Sequence, residues 1–151
     1  MKKEELKDWK VTSLKGKLAP SLYHFQGKYH LILFFNTACI GCSTRAIPFA
    51  KQIKRAFPEI EISTVHTDLG TIGKYTIEEV KQYVKKHNID FPVYLDKNKQ
   101  TYDTFQAEGT PHWVVLGPKG EVIRSIFGSM PNALQRLYYL LIEQLDNSEQ
   151  E

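Results

Sequence analysis

Tyr29-His30-Leu31-Ile32-Leu33-Phe34-Phe35-Asn36-Thr37-Ala38-Cys39-Ile40-Gly41-Cys42 is the stretch that decides the fold. Its first half is continuously apolar at the centre and rich in β-formers, the pattern of a strand covered on both faces. Over 40–56 the period changes, and Ile47, Ala50 and Ile53, followed by Phe57, recur at helical spacing with Lys51 and Arg55 between them. Pro58 closes that helix. Residues 60–65 then alternate apolar and polar side chains with β-branching, which reads as the next strand of a βαβ unit.

The rest of the chain extends this unit. Thr76-Ile77-Glu78-Glu79 offers an N-cap with a Glu three residues later, and Val80, Tyr83, Val84 and His87 continue a helical period. Residues 91–95 read as a short strand and 98–106 as a polar helix carrying Tyr102 and Phe105. Gly109-Thr110-Pro111 breaks the chain. Residues 112–116 and 121–127 flank Gly117-Pro118-Lys119-Gly120, a hairpin signature. A last helix starts at Pro131 and runs to about 145, with Leu134, Leu137, Tyr138 and Leu141 on one face, ahead of a polar tail, 147–151, expected to fray. Residues 1–18 read as a short helix and an extended lead-in. The sequence therefore predicts an α/β fold: a central mixed sheet of four or five strands with helices on both faces, in one domain over 1–151 with its core at about 19–145.

Composition narrows the function. The chain has 151 residues, 42% of them hydrophobic and 25% charged, as in ordinary globular proteins. A net charge of +3, dispersed along the sequence, gives no footprint for nucleic acid. No apolar run approaches the ~20 residues that span a bilayer, so membrane insertion is not expected. The opening residues lack the apolar core of a secretory signal. The expectation is a cytoplasmic protein, or an extracytoplasmic one if a leader has been removed.

The two cysteines, Cys39 and Cys42, are three positions apart where the buried strand gives way to a helix. Thiolate is the attacking species in disulfide exchange, and a helix N-terminus favours it through oriented N–H groups and partial positive charge. Cys39 is therefore the expected nucleophile. Cys42, one turn on, can resolve a mixed disulfide formed on Cys39, and Gly41 keeps the loop uncrowded. The same spacing supplies half of a zinc site, but no second C-x-x-C or pair of spaced histidines completes it, so no metal and no cofactor beyond the redox disulfide is expected. Arg45, a turn beyond Cys42, either favours thiolate electrostatically or is a solvated helix-face charge.

A strand, Cys39-x-x-Cys42, a helix with internal Pro48, then Gly109-Thr110-Pro111 before a hairpin resembles the thioredoxin superfamily, and within it the TlpA/ResA-type disulfide oxidoreductases. The resemblance spans about 19–145. It implies a three-layer sandwich in which the helix and strand between Asp68 and Leu95 are the insertion typical of that branch. It further implies a cis Pro111 against the cysteine pair and Thr110 offering backbone groups to an extended substrate. The implied activity is exchange with protein or small-molecule disulfides, as a reductant served by an upstream thiol reductase.

The chain departs from that pattern in places. Ala38 stands where relatives carry Trp, and Leu33 where thioredoxin has a buried Asp. Arg45 is nearest to the position of a helix Glu in ResA-type members. Pro48 comes one position late, so an extra residue or local bulge is expected near 43–47. His66 falls close to a thioredoxin lysine, where imidazole could exchange a proton with Cys42; the other reading is a hydrogen-bonded strand-end histidine. His112 is expected at the site's rim or pointing into the sheet. Two alternatives are a peroxiredoxin-like thiol peroxidase, whose Thr-x-x-Cys pattern is absent here, and a Cu(I)-binding module using Cys39 and Cys42.

Overall fold

The computed structural model describes residues 6–69 and 75–149. The apolar run at 29–36 forms β2 (His30–Phe35), every residue of which is buried, as a strand covered on both faces must be. It leads through a turn and a helical segment into α1 (Ile47–Ala56) and then β3 (Glu61–Thr67), which lies parallel to β2. α2 (Ile77–Lys86) follows, and β4 (Val93–Asp96) adds a further parallel strand beside β3. The expected capping box is present: Thr76 Oγ1 accepts from Glu79 N–H, and the Glu79 carboxylate accepts from Thr76 N–H. β5 (His112–Leu116) and β6 (Val122–Phe127) form the antiparallel hairpin, with β5 paired to β2.

The sheet has six strands in the order β1-β4-β3-β2-β5-β6, one more than the four or five expected. The additional strand is β1 (Val11–Ser13), antiparallel to β4 within what the sequence suggested was a lead-in. Three residues are too few to show a period, and its partner is remote in sequence. Burial begins earlier than residue 19 for the same reason, since Trp9 and Val11 are both buried beside Ile32 and Phe34. From Leu6 to the strand the described residues form no helix; the part of that expected helix on residues 1–5 lies outside the described residues.

Two further boundaries differ. α4 (Pro131–Glu149) continues past the expected fraying point at 147, because no Gly or Pro interrupts its local hydrogen bonding; residues 150–151 lie outside the described residues. The helix expected at 98–106 begins instead with a 3₁₀ turn, Lys97–Lys99, in which Asn98 and Lys99 have positive φ, and only then becomes α3 (Gln100–Thr104). Asp96 sets that start: its carboxylate accepts from Thr101 N–H at 2.8 Å and Tyr102 N–H at 2.9 Å.

Alternation along the strands sorts the interior into two layers. Leu31, Leu33, Phe35, Trp113 and Val115 pack under α1, α2 and α4. Ile32, Phe34 and Val114 face α3, Trp9 and the 3₁₀ turn Leu22–Phe25. This is the expected three-layer sandwich, and it puts the carboxyl ends of β2 and β3 beside the start of the α1 helical segment.

Candidate active site at the end of the central strand

Asn36 turns the chain out of β2. Its buried side chain donates from Nδ2 to Thr67 O at 2.7 Å and accepts from Ala38 N–H at Oδ1 at 2.8 Å, while its own carbonyl accepts from Cys39 N–H at 3.0 Å. The turn is thereby hung from the end of β3. Asn36→Ala leaves the Thr67 carbonyl and Ala38 N–H without these partners, so it should cost about 1–3 kcal/mol, checked by urea unfolding, and lower the rate of disulfide reduction by loosening the Cys39 turn.

Cys39 and Cys42 are joined in a disulfide, with their Cα atoms 5.2 Å apart. They are unequal: Cys42 is fully buried, whereas Cys39 is partly exposed. Cys42 N–H is shared between Cys39 Sγ and the Cys39 carbonyl, each at 3.1 Å, so a donor near the helix start is directed at the sulfur. On its other side Cys39 Sγ lies 3.3 Å from the carbonyl oxygen of Thr110. The Thr110–Pro111 peptide bond is cis. Pro111 closes over the loop between the cysteines, its Cδ 3.8 Å from the point where a β-carbon on residue 41 would stand. That β-carbon would also meet Ser129 Oγ at 2.7 Å, so a larger residue at 41 would have to displace the Ser129 side chain.

The extra helix residue expected near 43–47 is accommodated as a π-helical turn, Cys42–Ala46, in which Ile47 N–H reaches back to Cys42 O. The hydroxyls of Ser43 and Thr44 both donate to Ile40 O, at 3.2 and 2.7 Å. Pro48 lies inside a helical run that continues from the π turn into α1, so it has no N–H to give to the preceding turn, where the π turn already breaks the regular hydrogen bonding. Arg45 projects from the π turn, and its Nε donates to the hydroxyl of buried Ser129 at 3.2 Å.

His66 is buried at the end of β3 and takes both ring nitrogens away from the cysteines. Nε2 accepts from Thr37 N–H at 3.3 Å and Nδ1 faces Asp68 at 3.8 Å. Burial lowers its pKa below the usual imidazole value, partly offset by Asp68. This geometry is that of the strand-end histidine. His112 points into the sheet layers: Nδ1 accepts from Glu108 N–H at 3.3 Å and Nε2 pairs with the Ser125 hydroxyl. It thereby ties down the loop that delivers Thr110 and Pro111. Asn36 and Ser129 carry the site's geometry without having been singled out from sequence. An Asx residue ahead of a turn was the available signal for Asn36; Ser129 had none. Among the described residues no group of three His, Cys, Asp or Glu side chains could hold a metal ion, and no helix is long and apolar enough to cross a membrane.

A redox disulfide where a central strand meets a helix, overlain by a proline loop, on a mixed sheet of this order, defines a thioredoxin-like thiol–disulfide oxidoreductase. The chain belongs to the AhpC/TSA family, whose model matches residues 3–127. Thiol-disulfide oxidoreductase ResA of Bacillus subtilis is 27% identical over 128 residues, an alignment covering 84% of this chain and 68% of ResA. ResA of Bacillus thuringiensis is 28% identical over 127 residues, covering 83% and 69%. Among solved structures, a thiol-disulfide isomerase from Corynebacterium glutamicum superposes with a TM-score of 0.80 at 23% identity, covering 93% of this chain and 96% of that one.

Proposed function

We propose that the protein is a disulfide reductant in which Cys39 attacks and Cys42 resolves. The observation that carries this reading is the asymmetry of the pair: Cys39 is partly open and receives the Cys42 N–H, while Cys42 is fully buried. A hydrogen bond to sulfur favours thiolate, and burial favours neutral thiol. The Cys39 thiolate attacks one sulfur of the substrate disulfide, forming a mixed disulfide and releasing a substrate thiolate that takes up a proton. Cys42 then loses its proton and attacks Cys39 Sγ. The Cys39–Cys42 bond forms, the second substrate thiolate leaves, and two electrons have passed to the substrate.

Thr110 and Pro111 are the substrate-binding residues in this reading, since the Thr110 carbonyl lies beside the sulfur that must be reached and Pro111 follows it over Gly41. The partners are a disulfide-containing protein or small molecule and an upstream dithiol reductase that restores the pair. His66 is assigned to holding Thr37 rather than to proton exchange with Cys42, in keeping with its hydrogen bond.

Redox titration of the pair against glutathione or dithiothreitol tests the direction. A midpoint near the roughly −270 mV of thioredoxin supports a reductant, and one near the roughly −120 mV of DsbA reverses the assignment. Consumption of hydrogen peroxide much faster than by a free thiol would replace it with the peroxidase reading.

A further inference from the structure

We propose that Arg45, held by Ser129, is a carboxylate-binding point beside the disulfide, so that favoured substrates carry a carboxylate next to the sulfur that Cys39 attacks. The proposal rests on the exchange reaction above and adds its substrate class. Three groups converge on Gly41, the residue just before Cys42. Arg45 Nη2 would lie 3.1 Å, Ser129 Oγ 2.7 Å and Pro111 Cδ 3.8 Å from a β-carbon placed there. The end of the guanidinium thus sits at the mouth of the site, beside the proline loop expected to hold the substrate.

Its orientation is fixed from behind. Nε is committed to the hydroxyl of Ser129, a residue only 4% exposed, which leaves the two terminal nitrogens, one of them beside Gly41, to receive a ligand. Among the described residues the one ion pair is His66 with Asp68, so the Arg45 charge has no carboxylate partner there. The neighbours in sequence of Gly41 and Ser129 on this rim are apolar and open: Ile40 is 75% exposed and Met130 60%. A charged fork amid exposed apolar side chains fits a disulfide flanked by an acidic group. Guanidinium binds carboxylate in two parallel hydrogen bonds, and an arm already fixed at Nε loses less freedom on binding than a free one.

Two kinds of disulfide present this chemistry, an acidic polypeptide segment and a small carboxylated disulfide. The test measures rate constants for reduced protein with 5,5′-dithiobis(2-nitrobenzoate), which bears carboxylates, and with neutral 4,4′-dithiodipyridine. It repeats the comparison with disulfide-linked peptides carrying Glu or Gln next to the cysteine. Arg45→Gln should lower the carboxylate-to-neutral ratio about five-fold, Arg45→Lys less, and Ser129→Ala should lower it while the charge remains. Raised salt should shrink the wild-type ratio. Glu preference in the peptides identifies a protein substrate; preference confined to the small disulfides identifies a small-molecule one.

The pH profile of Cys39 alkylation by neutral iodoacetamide separates the alternatives. An unmoved profile with a lowered ratio supports the binding point. A shifted profile with an unchanged ratio overturns it, because the charge then acts on the Cys39 thiolate. Failure of wild-type protein to reduce any of these disulfides removes the oxidoreductase reading itself, a result distinct from equal reduction of both kinds.

Discussion

Cys39→Ser should lower disulfide reduction by about three orders of magnitude or more, because a serine hydroxyl is not ionised near neutral pH and supplies no comparable nucleophile. Cys42 cannot substitute for it, being fully buried at the first position of the π turn. Cys42→Ser should behave differently. Cys39 keeps its partial exposure and the N–H of residue 42, which is a backbone group and survives the substitution. Attack therefore proceeds, nothing resolves the product, and the mixed disulfide accumulates in stoichiometric amount, visible as an added mass on the intact protein. Limiting iodoacetamide on the reduced wild type should label Cys39 before Cys42 in a peptide map. Faster labelling of Cys42, or substantial turnover by Cys39→Ser, would reverse the roles assigned to the pair.

The second large effect is loss of stability in mild acid. His30 is buried between the rings of Trp9 and Phe25, with Nε2 on the Ser63 hydroxyl at 2.7 Å and Nδ1 without a hydrogen-bond partner among the described residues. A protonated ring would carry an N–H there with no acceptor, and burial accordingly lowers its pKa from 6.5 to about 4. The unfolded chain, whose histidine titrates normally, takes up the proton first. Stability is therefore full above pH 6.5, falls as pH drops through that value, and levels off near pH 4 once the folded state protonates too. The shift corresponds to a loss on the order of 3 kcal/mol, a large share of the roughly 5–15 kcal/mol that holds a typical domain folded.

His66 and His112 are displaced in the same direction by burial, each partly offset by a neighbouring carboxylate, and they add to the slope. Urea midpoints across this range measure it. His30→Gln should flatten the slope even if it lowers stability at neutral pH, and an unchanged slope would mean that His30 does not titrate as described.

The parts of the fold legible in sequence are those with a local signature. β2 announces itself by unbroken hydrophobicity, α2 by its capping box and the hairpin by Gly117 and Gly120. β1 has no such signature; Val11 is buried among Ile32, Phe34 and Val65 because β1 pairs with β4, a fact the local sequence does not contain. In the site, the cysteine spacing made Cys39 and Cys42 readable, and the late Pro48 made the helix irregularity readable. The supporting contacts were not, because they are made between distant segments: Asn36 with Thr67, Arg45 with Ser129, and Thr110 with Cys39. His66 shows the limit of reading by position alone. Its place in the sequence left two readings, proton exchange with Cys42 or a hydrogen-bonded strand-end histidine, and choosing between them needs the partners of its ring, which are Phe35, Thr37 and Asp68.

The pairing of β1 with β4 also has a consequence for how the chain comes together. Val11 cannot find Asp96 until most of the polypeptide between them has been made and collapsed, so this short ribbon closes late. Until it does, β4 is the open border of the sheet, with unpaired N–H and C=O groups able to template a strand from another molecule. β1 thus acts as a latch on the side of the sheet remote from β6. Conditions that lift it, whether truncation of the opening residues or strain on Trp9 beneath it, should show first as self-association rather than as loss of the redox centre, which follows β2 and is separated from β1 by both β4 and β3.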